Sequence, residues 1–173
     1  QIDGGGGTTN SITGPNTTNT WNIATTTSGT VESASSPGPT SYVNIHILNG
    51  GSGNDTFNLA PNTVPPKVSA GAGVNVLNFD PGWMVAVTIN LNDVTGFQTI
   101  NATAGPDNTL IGNNSANTWL ITADDSGTLV NTTYPFATPF TFTHFPNVTG
   151  GTKDDIFIFD NAFQLTGLVG ING

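Results

Sequence analysis

The chain has 173 residues, room for one domain or one stretch of a longer array. Two lysines (Lys67 and Lys153) and no arginine stand against 11 acidic residues, giving a net charge of -9; this argues against neutralising nucleic-acid phosphates and against docking on anionic lipid. There is no Cys, hence no disulfide and no thiolate metal site, and no apolar run approaches the roughly 18 residues of a membrane span.

Charged residues make up only 8% of the chain, and the polar remainder is Thr, Asn, Ser and Gly. Strong helix formers are scarce, and no window holds a helical period. Period-two alternation recurs instead. In chain order, Trp21 alternates with Ile23, and Glu32–Ser41 follows as a loop that Pro37 and Pro39 keep out of regular strand. Phe57 alternates with Leu59, and the stretch 62–67 (NTVPPK) reads as a second loop. Val85, Val87, Ile89 and Leu91 read as one strand face, then Trp119 with Ile121, a third loop over 134–139, Phe140 with Phe142, and Phe157 with Phe159. Short half-buried strands between Gly/Asn/Asp/Pro clusters predict an all-β chain.

Shifted by 98, the chain overlays itself: residues 12–31 match residues 110–129 at 9 of 20 positions, including Trp21 with Trp119 and Ser28-Gly29-Thr30 with Ser126-Gly127-Thr128. Two residues are then inserted, and at an offset of 100 Gly50, Gly51, Asp55 and Phe57 meet Gly150, Gly151, Asp155 and Phe157. This predicts copy one over 1–98 and a partial copy two over 99–173, within a single continuous array. Gln1 at the start, without a basic-plus-apolar leader, reads as a processed chain or a piece of a larger one. Glycines at 7, 29, 50, 71, 105, 127, 150 and 170 fall at steps of 20 to 23 except one of 34. A beat of that length suits a rung of a right-handed parallel β-helix (β-solenoid), with Gly and Asn at corners that need positive φ. A β-sandwich is the alternative.

GGSGNDTFN at 50–58 has every fixed position of the calcium β-roll nonapeptide, but no tandem copy follows; at 150–158 Lys153 replaces a Gly, and Asn75 and Asn108 replace the Asp elsewhere. Asp55 and Asp155 are therefore read as corner caps for backbone N–H groups, with weak calcium binding as the competing reading. Asp124–Asp125 and Asp154–Asp155 are adjacent carboxylates that alternate across a strand, whereas a glycosidase needs two converging on one bond. The counterparts of the first pair are Thr26 and Thr27, so no catalytic role is assigned. His46 and His144 are placed in the strands before the Gly-Gly corners, without a third ligand, as structural or surface residues. Trp21 and Trp119 share a face with Ile23 and Ile121 and are read as core rather than as a sugar-binding ladder; Trp83 has no counterpart and is read as an exposed contact. The Thr-rich stretches lack the regular spacing of an ice-binding array, and the Asn-X-Thr sequons are what an Asn/Thr-rich chain generates by chance.

The succession Asn19-Thr20-Trp21, Ser28-Gly29-Thr30 and Gly50 to Phe57, repeated as Asn117-Thr118-Trp119, Ser126-Gly127-Thr128 and Gly150 to Phe157, resembles modules of giant bacterial secreted proteins. These are the filamentous-haemagglutinin-like and RTX-like adhesins and matrix proteins. The resemblance implies an extracellular or cell-surface β-helical stalk, used in adhesion or biofilm matrix, without catalytic residues. The expectation is a non-enzymatic structural segment with no cofactor and no metal. Its partners are copies or neighbouring repeats stacked end to end, and surface glycans. A calcium-stabilised binding module and a carbohydrate-binding or carbohydrate-active protein are the alternatives.

Overall fold

The computed structural model describes residues 1–82, 84–104, 107–131, 139–160, 163–167 and 171–172. Trp83, Gly105, Gly170, Gly173 and nearly all of the loop 134–139 lie outside the described residues. The chain is all-β, with no helix among the described residues. It divides into two compact units, one of Gln1–Trp83 with Asp93–Phe97, the other of Met84–Asn92 with Gln98–Gly173.

The first unit contains β1 (Ile2–Asp3), β2 (Ser11–Thr13), β3 (Asn19–Thr25), β4 (Ser28–Ser33), β5 (Thr40–Val43), β6 (Ile47–Asn49), β7 (Asp55–Leu59), β8 (Lys67–Ser69) and β9 (Val76–Phe79). After β10 (Thr88–Asn90), which belongs to the second unit, β11 (Val94–Thr95) returns to it. The larger sheet runs β1-β5-β4-β3-β7-β9, and the smaller one runs β2-β6-β8-β11. In the smaller sheet Ile12, Leu48, Val68 and Val94 pair in parallel, one after another. In the larger sheet Trp21 pairs with Phe57 and Phe57 with Leu77, again in parallel. β3-β4-β5 is an antiparallel meander set into this frame.

The second unit repeats the plan with β12 (Thr99–Asn101), β13 (Thr109–Ile111), β14 (Asn117–Ala123), β15 (Ser126–Asn131), β16 (Phe140–Thr143), β17 (Asn147–Thr149), β18 (Ile156–Phe159) and β19 (Ile171–Asn172). Its sheets run β12-β16-β15-β14-β18 and β10-β13-β17-β19. β14-β15-β16 is the matching meander, and β14 pairs with β18 in parallel as β3 does with β7.

Alternation explains which face is buried. Trp21, Ile23, Phe57, Leu59, Leu77 and Phe79 point inward and are buried, while Thr20, Asn22, Thr56 and Asn58 point outward. Trp21 stacks on Phe57 with centroids 5.5 Å apart and takes the edge of Tyr42 at 6.2 Å. The counterparts Trp119, Phe157 and Phe142 form the same trio, at 5.7 Å in both contacts. Removing a buried Trp from such a cluster costs about 3–5 kcal/mol. Both Trp21 and Trp119 are fully buried, so they form core and not an exposed ladder.

Several expectations need correction. An even rung of 20–23 residues does not run through the chain. Asp55 and Asn75 are 20 apart and Val87 and Asn108 are 21 apart, but Asn19 and Asp55 are 36 apart and Asn117 and Asp155 are 38 apart. The long steps contain the antiparallel meander, whose strands sequence periodicity cannot tell from parallel ones. Gly29 and Gly127 consequently sit inside β4 and β15, opposite Ile23 and Ile121, rather than at corners. A Cβ on Gly29 would strike the Asn22 carbonyl and the Tyr42 ring. Glu32, Ser33, Thr40 and Ser41 belong to strands, and only 34–39 form the connection, because the prolines disturb the ladder only where they stand. The strand expected from Val85 to Leu91 shortens to β10; Val87 and Ile89 are buried, but Val85 is exposed. Phe157 keeps its inward place, whereas Phe159 is exposed.

Candidate functional site

Three of the buried polar residues of the first unit lie where successive parallel strands begin. Asn19 opens β3, Asp55 opens β7, and Asn75 immediately precedes β9; all three are buried. They are linked in order. The Asn19 N–H and its Nδ2 both donate to Asp55 Oδ1, at 2.9 and 2.7 Å. The Asp55 N–H donates to Asn75 Oδ1 at 2.8 Å, and Asn75 Nδ2 donates to the Gly96 carbonyl at 2.9 Å. The same nitrogens turn back on their own corners. Asn19 Nδ2 reaches the carbonyls of Pro15, Thr17 and Gly50, and Asn75 Nδ2 reaches those of Gly71 and Ala72. A short amide side chain is suited to this work because it both donates and accepts. Backbone groups at corners have no ladder partner and are costly to bury unpaired.

The second unit builds the same device. The Asn117 N–H and Nδ2 donate to Asp155 Oδ1 at 3.0 and 2.7 Å, and Nδ2 also reaches the carbonyls of Asn113 and Ser115. The Gly151 N–H donates to Asp155 Oδ2 at 2.8 Å. Further along, the Val87 N–H donates to Asn108 Oδ1, Asn108 Nδ2 donates to the His144 carbonyl, and Asn147 Nδ2 donates to Asp107 Oδ1. Both aspartates of the nonapeptide-like motifs therefore cap corners.

Asp55 and Asp155 differ in their second oxygen. Asp55 Oδ2 is buried against Gly50, without a hydrogen-bond partner among the described residues. Burial pushes the Asp55 carboxyl above its ordinary value, against the pull of the two Asn19 donors. When protonated, Asp55 matches Asn75 in shape, with an O–H where the amide has its nitrogen. The glycines of the motif follow from the same crowding. A Cβ on Gly50 would meet Asp55 Oδ2 and the Ala70 carbonyl; Gly71, at φ 85, would press one onto the Gly51 carbonyl.

The remaining residues of interest are spread apart. Asp124 and Asp125 fasten the segment 163–167: Gln164 N–H donates to Asp124 Oδ1, and Thr166 donates to Asp125 from both N and Oγ1, at 2.7 and 2.6 Å. His46 and His144 stand in the corners between strands, not within strands as expected. His144, at φ 60, is the counterpart of Asn44 at φ 56 and not of His46. Its Nδ1 lies 3.0 Å from the Ala102 carbonyl. No group of three or more His, Cys, Asp or Glu side chains able to hold a metal occurs among the described residues. No helix among them is long and apolar enough to cross a membrane. The ion pair of Lys67 with Asp93, at 3.2 Å, is exposed on both sides and of the kind that contributes little.

Sequence reasoning missed the outer face of the larger sheet, where the two units diverge. The first unit presents Asn22, Glu32, Thr56 and Asn58, and their counterparts in the second are Leu120, Val130, Ile156 and Ile158. The signal was present in the four apolar letters of β18, which do not alternate. No protein-family model, curated protein or solved structure gives a significant match to this chain.

Proposed function

We propose that this chain is a non-catalytic structural module of an extended extracellular or cell-surface array, built as a β-solenoid with irregular coils. The reading of bacterial adhesin or matrix modules belongs to this proposal. The observation that carries it is the chain of corner bonds from Asn19 through Asp55 and Asn75 to Gly96. Equivalent positions of successive coils are bonded to one another, as a stack requires and as an isolated pair of face-packed antiparallel sheets does not. The polar groups are spent on holding corners, and Asp124 and Asp125 on holding a loop. The function that fits is mechanical: to continue a coil and to present a Thr/Asn-rich surface.

Electron microscopy over a concentration series, alone and fused to further copies of the 98-residue unit, tests the reading. Rods that lengthen with each added unit are expected, and oriented samples should diffract at about 4.8 Å along the rod. Particles that stay globular whatever the number of units would refute it.

A further inference from the structure

In β18 the strand chemistry and the strand environment disagree. It reads Ile156-Phe157-Ile158-Phe159. A continuous apolar run belongs to a strand covered on both faces, and a half-solvated strand alternates. Yet among the described residues β18 pairs with β14 alone and ends its sheet. Ile156 is 59% exposed, Ile158 45% and Phe159 40%. An open apolar edge of this kind is a template for a further strand.

The first unit contains the covered version. β7, the counterpart of β18, lies between β3 and β9, with Phe57 opposite Leu77, Asn58 opposite Asn78, and Leu59 opposite Phe79. Under β9, Phe57 and Leu59 are fully buried. On the outer face Asn78 Nδ2 donates to Asn58 Oδ1, and Asn58 Nδ2 to Asn22 Oδ1. The second unit has Ile158 for Asn58 and Leu120 for Asn22, directly paired. It has lost the amide ladder and gained an apolar pair.

From this we infer that the open edge of β18 accepts one parallel strand from another repeat of this type, in the register by which β9 covers β7. The incoming strand carries large apolar residues opposite Phe157 and Phe159, as Leu77 and Phe79 stand opposite Phe57 and Leu59. Opposite Ile158 it carries an aliphatic residue instead of the asparagine found at Asn78. Residues 74–79 bear no charge. Such a strand docks without the repulsion that two whole chains of net charge -9 would meet. The inference rests on the stacked-array reading, but strand capture does not require rods to form.

The test uses the full chain and fluorescein-labelled peptides with the sequence of residues 73–80, GVNVLNFD, and its Asn78→Val form. Saturable anisotropy changes are expected for both, with the Val form at least about tenfold tighter. Amide exchange should slow in 156–159. Ile158→Lys and Ile158→Thr, at an exposed site and checked for an unchanged far-UV CD spectrum, should weaken capture about tenfold or more, the lysine most. No saturable binding, equal binding of a scrambled peptide, or protection elsewhere but not in 156–159 would overturn the proposal. So would dimers of the peptide-free chain that Ile158→Lys abolishes but an excess of the peptide does not dissociate, since the edge would then be held by something other than a strand of this register.

Discussion

Tyr42 and Phe142 occupy the same place in the two units, each edge-on to the buried tryptophan of its own, and differ by one oxygen. That oxygen is buried and has no hydrogen-bond partner among the described residues, and burial pushes the Tyr42 phenol above its ordinary value. A stranded buried hydroxyl costs free energy, which the phenylalanine avoids. Tyr42→Phe is therefore expected to stabilise the chain by about 1 kcal/mol, read as a higher urea midpoint at unchanged slope. A loss of stability would show that the hydroxyl has a partner.

Asp55→Asn tests the corner chain through its pH dependence. The folded carboxyl is held above its ordinary value, so the folded state binds its proton more tightly than the unfolded state does. Its contribution is fully present below the unfolded value of about 3.9 and is lost as pH rises through the folded value. The asparagine does not titrate. Its stability relative to the parent should thus rise with pH over that interval, to a gain of about 1 kcal/mol at neutral pH, measured by urea unfolding between pH 3 and 8. Asp55→Ala strands the Asn19 N–H and removes one of several acceptors of its Nδ2; it should cost about 2–3 kcal/mol at acid pH and less at neutral pH, because the alanine does not titrate either.

Gly71→Ala isolates backbone geometry. The residue has φ 85, and the added methyl would press on the Gly51 carbonyl. A loss of about 2–4 kcal/mol is expected from strain and clash together. Gly38→Ala, in open space, should shift the thermal midpoint by no more than about 1–2 °C.

Calcium addresses the roll-like motif. Asp55 Oδ1 is committed to Asn19, and its backbone N–H to Asn75. Millimolar calcium is expected to leave the melting temperature of the chain unchanged, by scanning calorimetry with and without a chelator. A rise of several degrees that Asp55→Ala removes would restore the calcium-stabilised reading.

The internal repeat was legible at the level of single residues. Offsets of 98 and 100 pair Trp21 with Trp119 and Phe57 with Phe157, and each pair holds the same place in its unit. The corner role of Asp55 and Asp155 could be read from the turn-forming residues around them, but not its recipient. Asn19 lies 36 residues away, and nothing local points to it. His144 misled for the opposite reason: its nearest like residue in the sequence is His46, while its structural counterpart is Asn44, which shares its left-handed φ.

The sequence by itself determined that the chain is all-β, that it is built twice, and that Trp21 and Trp119 lie inside. Those properties follow from alternation and self-similarity, which act between near neighbours or as a pattern along the chain. Only the tertiary structure decided that β4 runs antiparallel inside an otherwise parallel frame, that Gly29 lies within a strand, and that β18, which ends its sheet among the described residues, exposes Ile156, Ile158 and Phe159. Strand direction and edge exposure are set by which distant segments pair. A period-two pattern is the same whichever way its neighbour runs.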